Sequence, residues 1–87
     1  MNETELYRKL QALGAEIEKT QVDDPQQQAV LDELKVHIQH VLDEPDGSHH
    51  LSLAGRLRKG LVVFEIEHPA LTRTMEMVSE HLSSLGI

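Results

Sequence analysis

Six histidines in 87 residues are the side chains best suited to chemistry, because imidazole is both a common metal ligand and a group that titrates near neutral pH. His37 and His40 are three apart, with Glu33 and Glu44 four residues away on either side. On a helix these four share one face, and a Glu and His arrangement of that kind can hold a metal ion in a bundle core. Against that reading, the two histidines flank an apolar stripe rather than sit on it, and no recognised zinc spacing is present. Solvated histidines on a helix surface are the preferred reading. His49 and His50 lie in a loop-like stretch and reach such a site only by folding back. His68 is different, because it interrupts an apolar seam and Pro69 follows it. Burial disfavours its charged form, which would make it a pH-sensitive switch. The plainer role is preferred: it caps a helix beginning at Pro69 or bonds a carbonyl that the proline frees.

Arg56, Arg58 and Lys59 form the one basic cluster. Residues 24–46 hold six acids against Lys35, a net of −5, whereas residues 47–68 hold two acids against those three bases, a net of +1. The cluster is therefore expected to dock on the acidic second helix, within one chain or between two, and to set orientation more than stability. An anion site is the less favoured alternative. For catalysis there is little: no Gly-x-Ser-x-Gly elbow, no phosphate-cradling glycine loop and no carboxylate pair on an apolar face. The absence of cysteine removes thiol nucleophiles and thiolate metal sites. No enzymatic activity, no catalytic residue and no cofactor is expected.

The elements that would position these residues are helical. Asn2 with Glu5 makes a capping-box pattern, and Leu6, Leu10, Leu13 and Ile17 follow at helical spacing. The first helix thus runs from Asn2 to about Thr20, with Gly14 inside it as a candidate for a close helix contact. Asp24-Pro25 is a helix start: the carboxylate caps free N–H groups, and proline at the first position loses no bonded donor. The second helix carries Leu31, Leu34, Ile38 and Val41 to about Asp43. Similar lengths and a short turn predict an antiparallel hairpin. Glu44 to His50 is a loop of turn formers, after which Ser48 or Ser52 could cap the next helix.

From Ala54 to Leu85 ten positions follow at alternating spacings of three and four: Ala54, Leu57, Leu61, Phe64, His68, Leu71, Met75, Val78, Leu82 and Leu85. Pro69 removes a backbone donor and clashes with the preceding turn, and it disfavours helical geometry at His68. The repeat nevertheless keeps its register across the proline. That continuity favours one long helix kinked at Pro69, with Gly60 a weak point in its interior and Gly86 its C-terminal cap. The alternative is a four-helix bundle with a break at His68-Pro69. A continuous helix of about 32 residues is about 48 Å long and would overhang the hairpin. Its uncovered seam then predicts a homodimer, with Leu57, Leu61, Phe64, Leu71, Met75, Val78 and Leu82 at the interface.

The length allows one helical domain, residues 1–87, in a size range where oligomerisation commonly supplements a small core. A net charge of −7 and two aromatic residues argue against nucleic acid, which rewards clustered cations and stacking platforms. No apolar run approaches the roughly 18 residues of a membrane span, and there is no signal core. A cytoplasmic setting is expected.

Several features together resemble a family of short bacterial proteins known as domain of unknown function 4404. They are the Leu6-x-x-x-Leu10 helix, the acidic turn at Asp23-Asp24, the segment Phe64-Glu65-x-Glu67-His68-Pro69-x-Leu71, and the ending Leu82-Ser83-x-Leu85-Gly86-Ile87. The resemblance implies a bacterial cytoplasmic setting and a His68-Pro69 feature belonging to the fold. It implies no activity. The expected protein is all-α and non-enzymatic, an interaction or scaffold module that self-associates through its seam. Two alternatives stand beside it: a metal- or pH-responsive sensor using His37, His40 and His68, and an acidic adaptor or antitoxin-like partner of a basic protein.

Overall fold

The computed structural model describes residues 3–44 and 49–85. Four helices follow one another: α1 (Glu3–Lys19), α2 (Pro25–Asp43), α3 (His50–Phe64) and α4 (Pro69–Ser84). Each packs on its neighbours in the chain, and α4 closes the ring against α1, so the described residues form a four-helix bundle. The contact of α1 with α4 is the most extensive and that of α1 with α2 the least. The predicted hairpin is therefore present in topology, while the tightest partner of α1 comes from the far end of the chain.

The start of α2 follows its sequence signal. Asp24 is the N-cap in extended geometry, its carboxylate accepts the Gln26 N–H at 2.9 Å, and Pro25 takes the first helical position. At the start of α3 the cap differs from expectation. His49 occupies the N-cap without a side-chain bond, and Ser52 lies inside the helix. Asn2, Ser48 and Gly86, the other capping candidates, lie outside the described residues.

At Pro69 the structure departs from the favoured reading. The long kinked helix is two helices, and the alternative, the bundle broken at His68-Pro69, is the arrangement found. His68 leaves helical geometry, with φ −135° and ψ 68°, as the steric demand of the following proline requires. Its N–H donates to the Phe64 carbonyl at 2.9 Å, closing α3, and its carbonyl accepts the Thr72 N–H at 3.0 Å, opening α4. The Thr72 hydroxyl donates to the same carbonyl at 3.0 Å. His68 thus acts through its backbone, while its ring meets Phe64 edge-on with centroids 5.7 Å apart. The register survives the reversal because α3 and α4 face one shared core, and seven residues separate Phe64 from Leu71 just as they would along one helix.

That reversal also removes the predicted interface. Leu57, Phe64, Leu71, Met75, Val78 and Leu82 are at most 1% exposed, and Leu61 is half-buried against the same cluster. They join Leu6, Leu10, Leu13, Leu31, Leu34 and Val41 in one apolar core. The helices have 15 to 19 residues each, so no helix overhangs the others and the length mismatch behind the exposed seam does not arise. Gly60 has a packing role: a Cβ there would run into the Met75 methyl group. Gly14 has none, because nothing stands within 4 Å of where its Cβ would be. No helix among the described residues is long and apolar enough to cross a membrane.

Candidate functional site

The antiparallel pair α2 and α3 gathers most of the residues singled out for chemistry. Arg56 of α3 reaches α2, where its Nε lies 2.7 Å from a Glu33 carboxylate oxygen and 3.3 Å from His37 Nε2. The basic cluster therefore docks on the acidic helix as charge predicted, through Arg56; Arg58 and Lys59 are exposed to solvent. Arginine only donates, so His37 Nε2 accepts and the ring is neutral, with its hydrogen on Nδ1. That atom is buried and finds no partner among the described residues. Burial, then the Arg56 charge, then His40 hold the His37 imidazole below its ordinary value, with Glu33 opposing them.

His40 meets His37 edge-on at a centroid separation of 5.9 Å, and His49 at 5.0 Å. His49 Nε2 is 2.7 Å from a Glu44 carboxylate oxygen. His49 has therefore folded back onto α2, which the sequence allowed as the one route into a site. Even so, no group of three or more His, Asp or Glu among the described residues is placed to hold a metal ion. His68 takes no part, since it lies at the other end of α3, beside the turn between α1 and α2.

Toward the opposite end of the same helix pair lies a groove of about 430 Å³, with Ala29, Val30 and Val63 against Glu33 and Lys59. Outside it, α3 shows aliphatic side chains to solvent: Leu51 is 70% exposed and Val62 76%, and Ile66 just beyond the helix is 87% exposed. Between His50 and Phe64 there is no Asp or Glu, so this surface is basic and aliphatic in a strongly acidic chain.

Two buried histidines are not found by sequence reasoning. His81 is 4% exposed, and its Nδ1 lies 3.0 Å from Lys9 Nζ across the α1–α4 contact. A lysine ammonium only donates, so Nδ1 accepts and the hydrogen sits on Nε2, which finds no partner among the described residues. The available signal is position: His81 lies three residues after Val78 and one before Leu82, at the edge of the seam. His50, expected in the loop, begins α3 and is 9% exposed. Its Nε2 likewise finds no partner among the described residues.

Comparison with known families agrees with the motif-level resemblance. A family model described as Domain of unknown function (DUF4404) matches residues 6–87. The chain belongs to this family. The match spans all four helices apart from the first residues of α1, so the His68-Pro69 break and the α2–α3 pair both lie within the stretch that defines the family. No curated protein and no solved structure matches the chain.

Proposed function

We propose that the protein is a non-enzymatic interaction module and that its contact surface is the outer face of α2 and α3. The observation that carries this reading is the display of Leu51 and Val62 on a helix free of acidic residues, with Ile66 exposed just beyond it between Glu65 and Glu67. Single exposed aliphatic residues are ordinary. Here they share α3 and its end with two exposed cationic positions, Arg58 and Lys59, which gives the patch both apolar area and sign. The seam that sequence alone pointed to serves the core instead. The test is comparative capture from a cell extract with the immobilised chain. Val62→Glu is expected to lose partners that Met77→Glu, on the exposed side of α4, retains. Equal capture by both variants and the native chain would remove this face from the reading.

A second reading, a pH- or metal-responsive sensor, has one observation in its favour: the contact of His37, His40 and His49. Anything that binds only the native state raises its melting temperature. A Zn²⁺- or Ni²⁺-dependent rise that disappears in His40→Gln would support the sensor, and an unchanged melting temperature in both ions would end its metal form.

A further inference from the structure

We infer that the α2–α3 face is a twofold interface between two copies of this chain. The inference rests on the interaction reading above and names its partner. Its basis is reciprocity of charge and shape on one surface. Along α3, Gly55, Lys59 and Val62 succeed one another at spacings of four and three, with Ile66 four residues on in the turn that follows, and all are exposed; Arg58 stands beside them. Along α2, Ala29, Glu33, Val36, His40 and Asp43 form the matching row, with Val36 51% exposed and Asp32 beside it. One row is basic and aliphatic, and the other is acidic with an aliphatic centre.

The two rows flank the groove of Ala29, Val30 and Val63. A twofold axis parallel to the helices therefore sets the basic row of each copy against the acidic row of the other, twice over. Arg56 already pairs with Glu33 inside one chain, so α3 and α2 are level at that height. Because α2 and α3 run antiparallel, the same axis brings Arg58 and Lys59 of one copy within about one helical turn of Asp32 and Glu33 of the second copy. Complementary potentials of this kind select a partner and an orientation, and a closed twofold contact uses one patch on both subunits. The bundle measures 36 by 20 by 19 Å over its Cα atoms. One long face of that size is comparable with the roughly 800 Å² per partner of a standard stable interface.

The experiment is sedimentation equilibrium on the full chain over a wide dilution series, with two charge-reversal variants at exposed positions. Arg58→Glu/Lys59→Glu makes the α3 row acidic, and Asp32→Lys makes the α2 row basic. The native chain is expected at twice its monomer mass, and each variant alone is expected to associate about tenfold or more weakly, since like charges then face each other. Mixed in equal amounts, the two variants are expected to form a heterodimer approaching native affinity, because the reversed rows then meet as opposite charges. That rescue also shows that each variant is folded. A native chain that stays monomeric overturns the inference, as does a dimer indifferent to the reversals or a mixture that does not associate. A monomer whose partner capture still depends on Val62 would discard the second copy while leaving the interaction module standing.

Discussion

The two flanks of the bundle are built on different physics. Where α1 meets α4 the contact is the most extensive in the molecule, and one polar pair, Lys9 and His81, crosses it. Where α2 meets α3 a groove stays open and the crossing groups are Arg56, Glu33 and three imidazoles. The first flank gains stability from burial, which is non-directional and scales with apolar area. The second also buries Leu31, Leu34, Leu53 and Leu57 in the shared core, and the charges that cross its outer edge are exposed, so their net contribution is small. On the reading proposed above, the first flank serves stability and the outer edge of the second serves recognition.

The largest effect that follows is in the core beneath α1 and α4. Leu82→Ala, at a position 1% exposed, is expected to cost about 2–5 kcal/mol. Val30→Ala, at the half-buried groove, should cost about 1 kcal/mol or less. Denaturant midpoints of the two variants measure the contrast directly. Equal losses would show that α2 and α3 are held as firmly by packing as α1 and α4 are.

Much of this arrangement is legible in the residues. Apolar positions at spacings of three and four name the core almost completely, because every helix here has one buried stripe. Asp24-Pro25 marks its helix start because the cap is local, needing nothing beyond Gln26. The Pro69 break is hidden by the repeat for a physical reason: an uninterrupted register is produced equally by one helix and by two helices that share a core. Proline stereochemistry at His68 is the better guide, being a local steric fact. Docking of the basic cluster on α2 follows from charge, although charge alone does not single out Arg56 and Glu33 as the pair. His81 on Lys9 does not follow, because it joins residues 72 apart in sequence and nothing local connects them.

The next prediction concerns acid. In the folded chain His37 is held below its ordinary value of 6.5 by burial, the Arg56 charge and His40, while His49 adds a smaller push the same way and Glu33 opposes. A base whose affinity for the proton is lowered by folding stabilises the fold fully above its unfolded value, and loses that contribution as pH falls through the lower folded value. Melting temperature should therefore decline on acidification from just below pH 6.5, and His37→Gln should flatten that part of the curve. An identical acid limb in the variant would place the sensitivity on other groups.

Two glycines contrast the core with an open groove on a smaller scale. Gly60→Ala pushes a methyl group into the buried Met75 side chain, and an overpacked core typically costs about 1–3 kcal/mol. Gly14→Ala enters open space beside the loosely packed α1–α2 groove, and should gain about 0.5–1 kcal/mol from reduced freedom of the unfolded chain. Thermal denaturation of the pair reads opposite signs from one substitution type. A stabilised Gly60→Ala would mean that Met75 has room to turn aside and that the core is less tightly fitted than its burial implies.

The smallest expected effect is the most direct test of the α2–α3 flank. Arg56 and Glu33 are 2.7 Å apart, yet both side chains are 44% exposed, so solvent screens the pair. A double-mutant cycle with Arg56→Gln and Glu33→Gln should give a coupling of about 0.2–1 kcal/mol. In roughly 1 M salt, where charges are screened within about 3 Å, most of it should vanish. Arg56→Gln also removes the cation beside His37, so the acid limb of that variant should be shallower than in the native chain even where stability at neutral pH is unchanged. A coupling above about 2 kcal/mol that persists in salt would exceed what an exposed pair supplies. It would mean that Arg56 and Glu33 fasten α2 to α3 as structural elements, and the division between a stabilising flank and a recognising flank would no longer hold.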